Sequence, residues 1–141
     1  MEVKIKYHAD ITPIEAISKG NLIDLRCAED VEMKKGEYKV ISLGVSMELP
    51  EGYYAEVFPR SSTFKKHKIL MANSVGIIDH SYCGDNDIIG FPAYAVEDTK
   101  IPKDTRIAQF KIVKDQPEFE FIRVDKLGNP DRNGYGSTGD R

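Results

Sequence analysis

The stretch YKVISLGVSMELPEGYYAEVF, residues 38–58, decides the fold. It holds three apolar or alternating runs, Tyr38 to Leu43, Val45 to Leu49 and Tyr53 to Phe58, and each has the length of a β-strand. The cluster Pro50-Glu51-Gly52 between the last two runs is typical of a turn. Strand-length runs joined by such turns favour a β-sheet protein over a helical one.

The same pattern continues on both sides of this stretch. Further strand-length runs are Val3 to Tyr7, Ile69 to Ala72, Ile88 to Val96, Ile107 to Val113 and Phe119 to Val124. Helix-start signals occur only at Thr12–Glu15 and Ser61–Thr63, and each allows only a short helix. We therefore predict an all-β fold, a β-sandwich or barrel, with little helix.

Length and composition limit the class of protein. With 141 residues and 15.9 kDa, the chain is expected to form one domain, residues 1–125, followed by a glycine-rich, mobile arm over residues 126–141. A net charge of -3 disfavours binding to a nucleic acid. Cys27 and Cys83 form neither a disulfide framework nor a zinc pattern, and no apolar run is long enough for a membrane span. We expect a cytoplasmic protein without nucleic-acid or membrane partners.

Asp79 is the most informative single residue. It ends the run Val75-Gly76-Ile77-Ile78 and precedes the polar segment His80-Ser81-Tyr82. A carboxylate in apolar surroundings is costly unless it has a function. Asp79 is therefore the candidate for an acid that activates water.

Arg60, Ser61 and Ser62 follow Pro59 at the end of an apolar run. Backbone amides, hydroxyls and a guanidinium on one turn could bind phosphate. The alternative is that the serines cap a short helix while Arg60 forms a surface ion pair. The residues alone leave both interpretations open.

Gln109 alternates with Arg106, Ala108 and Phe110 in a predicted strand. It either points to a polar site or is a half-exposed glutamine on an edge strand. The C-terminal segment contains Arg132, Tyr135, Gly136, Ser137 and Thr138, a composition that suits an arm closing over an anion but is equally typical of a disordered terminus.

Asp24 lies inside the apolar run Leu22 to Leu25. It could hold a magnesium ion through water, or it could form an ion pair with Arg26, which lies two residues away on the same strand face. The three histidines show no metal-ligand spacing.

Five of these segments occur in the order that is characteristic of trimeric dUTP pyrophosphatases, the dUTPase family, which the chain resembles over nearly its whole length. The five matching segments are Leu22–Arg26, Pro59–Thr63, Asn73–Asp79 continuing through Gly84, Arg106–Gln109 and Gly134–Gly139. Four features depart from the usual pattern. Asn21-Leu22 stands where the family has Ala-Gly, and Lys68 stands where it has a glycine. Only two residues separate Arg132 from the aromatic residue, which is Tyr135 and not phenylalanine.

The resemblance implies a jelly-roll subunit and a homotrimer whose active sites are shared between subunits. It implies that Asp79 deprotonates a water that attacks the α-phosphorus of dUTP, giving dUMP and pyrophosphate. Phosphate ligands would be Arg60, Ser61, Ser62, Gln109, Arg132, Ser137 and Thr138, and Mg²⁺ on the phosphates would be reached from Asp24 through water.

For the nucleoside, the resemblance implies that backbone groups near Ile78, together with Asn73, read uracil. Gly76 would exclude the methyl group of thymine, Tyr82 would exclude a ribose, and Tyr135 beside Gly136 would stack over the base.

Two other functions compete with this one. A dCTP deaminase shares the fold but needs a glutamate about ten residues after the motif-three aspartate, where Ile89 stands here. A non-catalytic binding protein is the second alternative, since fold alone does not fix function and some dUTPases also bind regulatory protein partners.

Overall fold

The structure is a computed structural model that describes residues 1–15 and 20–133. Within these residues it contains one short α-helix and eleven β-strands. The elements in chain order are β1 (Lys4–Tyr7), β2 (Ile23–Arg26), β3 (Val31–Met33), β4 (Tyr38–Ser42), β5 (Val45–Glu48), β6 (Tyr53–Pro59), α1 (Thr63–His67), β7 (Ile69–Met71), β8 (Gly76–Ile78), β9 (Gly90–Ala95), β10 (Thr99–Ile101) and β11 (Arg106–Lys114).

Four small sheets form the domain. The largest has the strand order β2-β11-β6-β8, and a three-stranded sheet has the order β4-β9-β7. β1 pairs with β5, and β3 pairs with β10. Every strand pairing in the described residues is antiparallel. The predicted all-β class is confirmed.

The core forms because alternate residues of these strands point inward. In β9, Phe91, Ala93 and Ala95 are fully buried, whereas Tyr94 between them is exposed. Buried residues of the other strands, such as Leu25, Val57 and Ile107, complete one apolar cluster. The domain therefore holds together by side-chain burial on the inner faces of its sheets.

The predicted strand over Phe119–Val124 is wrong. β11 ends at Lys114, and no secondary structure follows in residues 115–133. Phe119 and Phe121 contact each other edge to face, with ring centroids 5.0 Å apart, yet they are 63% and 89% exposed. An extended segment becomes a strand only where another strand offers it hydrogen bonds, and this segment has no such neighbour within the described protomer. The domain boundary at residue 125 stays a prediction.

The two predicted helix starts differ in outcome. Residues 12–15 are not helical: the amide and the hydroxyl of Thr12 both donate to the Asp104 carboxylate, at 2.8 and 2.6 Å. Residues 16–19 lie outside the described residues. The second start is confirmed by α1, which ends at Lys68 in the left-handed conformation (φ 59°). In the ranges that the structure describes, no helix is long and apolar enough to cross a membrane.

Candidate active site

A tight turn at the end of β6 carries Arg60, Ser61 and Ser62. The Thr63 amide donates to the Arg60 carbonyl at 3.1 Å, and the Arg60 amide donates to the Thr63 hydroxyl at 2.9 Å. Ser62 occupies the N-cap position of α1, but its side chain makes no capping hydrogen bond. The interpretation of Ser62 as a side-chain cap is therefore wrong, and its hydroxyl remains available to a ligand.

Asp24 on β2 pairs with two arginines. Its Oδ1 lies 3.1 Å from Nε of Arg60, and its Oδ2 lies 3.3 Å from Nη1 of Arg106. The predicted alternative of a pair with Arg26 is wrong, because Arg26 donates instead to the Asp104 carbonyl at 2.8 Å. An ion pair does form at Asp24, but its partners come from other strands.

Gln109 lies at the centre of the largest sheet. It is opposite Asp24 on β2 and opposite Phe58 on β6, so it is not on an edge strand as one interpretation supposed. Its Nε2 donates to the Pro59 carbonyl at 3.1 Å. The side chain of Gln109 thereby lies beside the Arg60 turn.

Asp24, Arg60, Arg106 and Gln109 form what we call the arginine cluster. Arg60 is 29% exposed and Asp24 33% exposed, so both reach solvent while their pairing is partly shielded from it. Two guanidiniums against one carboxylate leave an excess positive charge. Such a cluster can bind phosphate oxygens with charge-assisted hydrogen bonds. Arg106 belongs to this cluster although the sequence did not single it out as a ligand.

Asp79 lies directly after β8, and its side chain is 66% exposed. The expected burial of this carboxylate is wrong for the protomer, because the turn after β8 leaves the sheet. Oδ1 accepts hydrogen bonds from the amide and hydroxyl of Ser81, each at 2.9 Å, and lies 3.4 Å from His80 Nδ1. These two Ser81 bonds, aided by His80, lower the pKa of Asp79. The group is therefore ionised at neutral pH.

The remaining motif-three residues surround Asp79. The Tyr82 amide donates to the Asp79 carbonyl at 2.9 Å, and the Tyr82 hydroxyl donates to the Ile88 carbonyl at 2.8 Å. Gly76 is buried against Val57: a Cβ on Gly76 would lie only 3.3 Å from the Val57 Cβ. Ile78 is half-buried, and Asn73 is exposed beside Ser74, whose φ is 63°. Asn73, Gly76, Ile78, Asp79 and Tyr82 are called the hairpin half-site below.

Asp79 and the arginine cluster lie at opposite ends of β6, while Gly76 lies between them, opposite Val57. Ile78 pairs with Ala55, so Asp79 lies level with Tyr54, six residues before Arg60 on the same strand. At about 3.3 Å per residue, this separates Asp79 from the Arg60 turn by about 20 Å. Within one protomer, Asp79 therefore does not reach the arginine cluster.

The tail residues Tyr135, Gly136, Ser137 and Thr138 lie outside the described residues. Arg132 is described and exposed. In the described ranges, no group of three His, Cys, Asp or Glu side chains could hold a metal ion. Asp24 is the carboxylate within the arginine cluster.

The architecture is that of the jelly-roll dUTPases, as comparison with solved structures shows. A mutant dUTPase of Staphylococcus bacteriophage 80alpha, solved with dUpNHpp, is similar with a TM-score of 0.78 at 22% identity, over 98% of each chain. The dUTPase of phage phi11 of S. aureus, whose structure shows a structural Mg(II) ion, is similar with a TM-score of 0.76 at 18% identity, over 90% of this chain and 99% of that one.

Sequence comparison identifies the family. The dUTPase family model matches residues 11–139. The SPbeta prophage-derived deoxyuridine 5'-triphosphate nucleotidohydrolase YosS of Bacillus subtilis is 56% identical over 99% of each chain. The deoxyuridine 5'-triphosphate nucleotidohydrolase of Clostridium acetobutylicum is 39% identical over 83% of this chain and 81% of that one. The chain belongs to the dUTPase family, so the predicted family, jelly-roll fold and enzyme class are confirmed.

Proposed function

We propose that the protein hydrolyses dUTP to dUMP and pyrophosphate at sites that two copies of the chain build together. The observation that supports the shared site is the placement of Asp79 and the arginine cluster at opposite ends of β6. Asp79 and the phosphate ligands must act on neighbouring phosphates of one dUTP molecule, and about 20 Å of strand separates them within one protomer. A second copy can bring its hairpin half-site to the arginine cluster of the first.

The arginine cluster binds the phosphates. Arg60 and Arg106 exchange part of their contact with Asp24 for phosphate oxygens, and Gln109 adds amide donors. The hydroxyls of Ser61 and Ser62 lie on the same turn, and the Ser62 side chain is not used in capping α1. These groups stabilise the negative charge that moves onto the leaving pyrophosphate.

Asp79 acts on the attacking water. Oδ1 is held by Ser81, and in the described part of the chain no hydrogen bond occupies Oδ2. Oδ2 orients a water and accepts its proton while the water oxygen bonds to the α-phosphorus. The bond from the α-phosphorus to the bridging oxygen breaks, and its electron pair leaves on pyrophosphate.

The hairpin half-site selects the nucleoside. Backbone groups at Ile78 and the amide of Asn73 face a uracil ring, and a wrong base leaves polar groups unpaired. Tyr82 is held at both its amide and its hydroxyl, so its ring is a rigid surface for the deoxyribose. Gly76 keeps β8 close to β6.

Mg²⁺ fits this site as an ion whose direct ligands would come mainly from the phosphates of the substrate. Asp24 is a single carboxylate and already pairs with two arginines. This suits a water-mediated contact with Mg²⁺ better than coordination of the ion by protein ligands alone. When bound, the ion neutralises phosphate charge and orients the phosphate chain. Asp24 would contact its hydration shell.

A homotrimer accounts for the unpaired apolar surface of the protomer. Phe121, Ile122 and Leu127 are 89%, 76% and 84% exposed, in the segment that follows β11. Exposed apolar residues in such a run are typical of a contact with another chain. Beyond this segment, Arg132, Tyr135, Gly136, Ser137 and Thr138 would reach a neighbouring site as a closing arm. A regulatory protein partner stays a prediction.

The test is pyrophosphate release from dUTP, dCTP, dTTP and UTP, with and without Mg²⁺. We expect release from dUTP alone, stimulated by Mg²⁺. Asp79→Asn should lower kcat by orders of magnitude at similar dUTP affinity, because Asp79 acts on the water and not on ground-state binding. Loss of binding equal to the loss of turnover would contradict the role of Asp79.

The deaminase alternative is disfavoured by Ile89. This residue is 2% exposed, its amide donates to the Val45 carbonyl, and its carbonyl accepts from Leu43. A core position of this kind cannot present a catalytic glutamate to a ligand. Ammonia release from dCTP would reverse this conclusion.

A further inference from the structure

Two polar side chains lie in the described core, those of Ser46 and Thr63. Thr63 is 1% exposed and Ser46 is 4% exposed. A buried hydroxyl costs free energy unless its hydrogen bonds are made, whereas valine fills nearly the same volume as threonine without a hydroxyl. The hydroxyls of Ser46 and Thr63 therefore contribute through their hydrogen bonds and not through packing.

The Thr63 hydroxyl joins two parts of the chain that carry the arginine cluster. It accepts a hydrogen bond from the Arg60 amide at 2.9 Å and donates one to the Ile107 carbonyl at 2.7 Å. The Thr63 amide also donates to the Arg60 carbonyl. The turn that holds Arg60, Ser61 and Ser62 is thus closed by one residue and tied by that residue to β11.

The contact with β11 falls at an irregularity. The register of β11 against β2 shifts between Arg106 and Ala108, so Ile107 is the extra residue of a bulge. The ladder between β11 and β6 begins only at Ala108. The carbonyl of Ile107 is therefore available to Thr63, and the contact lies two residues from Gln109.

We propose that Thr63 is a positioning residue that fixes the phosphate-binding turn against the strand of Gln109. The inference rests on the proposed function. Without the hydroxyl, the turn is linked to β11 by the pairing of Pro59 with Ala108, the Gln109 bond to Pro59 and side-chain contacts of Arg60, among them one of 3.4 Å to the Arg106 carbonyl. None of these bonds holds the Arg60 amide. The turn can then shift, and binding groups that shift by about 1 Å lose much of their effect.

Ser46 offers a matched control in the same core. Its hydroxyl donates to the Asp87 carbonyl at 2.8 Å, which leaves His8 Nε2, also at 2.8 Å, as the donor to Ser46. Asp87 precedes Ile88, whose carbonyl holds the Tyr82 hydroxyl. Ser46 therefore supports the hairpin half-site, whereas Thr63 supports the arginine cluster.

The experiment compares Thr63→Val, Thr63→Ser and Ser46→Ala in the full chain. Binding of two ligands is measured by calorimetry: dUpNHpp, which carries three phosphates, and dUMP, which carries one. Thr63→Val should weaken dUpNHpp about tenfold or more while dUMP affinity changes little, because only the phosphate contacts are disturbed. Thr63→Ser keeps the hydroxyl and should restore most of the dUpNHpp affinity. Ser46→Ala should weaken both ligands by a similar factor.

A purely structural role for Thr63 predicts another pattern. Thr63→Val would then lower the melting temperature and weaken both ligands equally, or weaken neither, and either result overturns the inference. Should Thr63→Val fail to fold, Thr63→Ala also lacks the hydroxyl and must show the same selective loss. The proposed function is tested separately. If the parent protein releases no pyrophosphate from dUTP, the proposed function is refuted. If the parent does so and Thr63→Val binds dUpNHpp as tightly as the parent, only the role of Thr63 is refuted.

Discussion

Lys68 tests whether the backbone at the end of α1, the helix that follows the Arg60 turn, is strained. It ends α1 in the left-handed conformation, with φ 59° and ψ 31°, where the family pattern has glycine. The Lys68 amide donates to the Phe64 carbonyl at 2.9 Å, and the Lys68 carbonyl accepts from Val96 at 2.9 Å. Both bonds are made by the backbone, so a change of side chain can preserve them.

We expect Lys68→Gly to stabilise the protein. The left-handed conformation costs a residue with a Cβ about 1–2 kcal/mol. Glycine avoids this cost but loses more backbone entropy on folding, by about 0.5–1 kcal/mol. Taking the midpoints, about 1.5 less about 0.75, the net gain is about 0.75 kcal/mol. At roughly 2–4 °C per kcal/mol for a chain of this size, Tm should rise by about 1.5–3 °C.

The assay is thermal unfolding at fixed protein concentration, because an oligomer melts at a temperature that depends on concentration. Lys65→Gly is the matched control: Lys65 lies inside α1, where glycine costs about 1 kcal/mol, so its Tm should fall. The kcat/KM of Lys68→Gly should equal that of the parent. A Tm for Lys68→Gly at or below the parent value would refute the assignment of strain to Lys68.

The remaining predictions concern the site. Ser81→Ala removes one of the two Ser81 bonds that lower the pKa of Asp79, so this pKa should rise toward its ordinary value. Since activity needs the carboxylate, activity is lost as pH falls through this pKa, and the acid limb of the kcat profile should move to higher pH. An unchanged limb would contradict this. Gly76→Ala should cost about 1–3 kcal/mol and slow turnover, because its Cβ would lie 3.3 Å from the Val57 Cβ. Val57→Ala keeps this Cβ, so adding it should not restore turnover. Removal of the chain from Pro130 onward should leave Tm nearly unchanged, since residues 130–133 are exposed, yet slow dUTP hydrolysis; full activity would exclude Arg132 and the tail motif from the site.

Local pattern was enough to predict most strands. Tyr53 to Phe58 and Ile107 to Val113 were predicted and lie within β6 and β11, because an apolar run of this length bounded by turn residues has few other ways to bury its side chains. Phe119 to Val124 has the same local pattern and is not a strand. A strand also needs a partner edge, and the sequence of one segment does not show whether the folded protomer provides one.

The site shows the same division between local and long-range information. The motifs identified the candidate ligands in order, but the partners of Asp24 come from residues 60 and 106, far along the chain. Arg26 is the nearest basic residue in sequence, but its guanidinium donates a hydrogen bond to the Asp104 carbonyl instead. The positioning role of Thr63 was not predicted, because it depends on a hydrogen bond to Ile107. Ile107 lies in a bulge that only the pairing register of β11 with β2 reveals.

Because β6 separates Asp79 from the arginine cluster, inactive subunits can complement each other. A copy that carries Arg60→Ala still offers an intact Asp79, and a copy that carries Asp79→Asn still offers an intact arginine cluster. Where two such copies meet in the right order, every group of one whole site is present. The two inactive variants should therefore regain activity when they are unfolded, mixed and refolded together, whereas neither should regain activity when it is refolded alone.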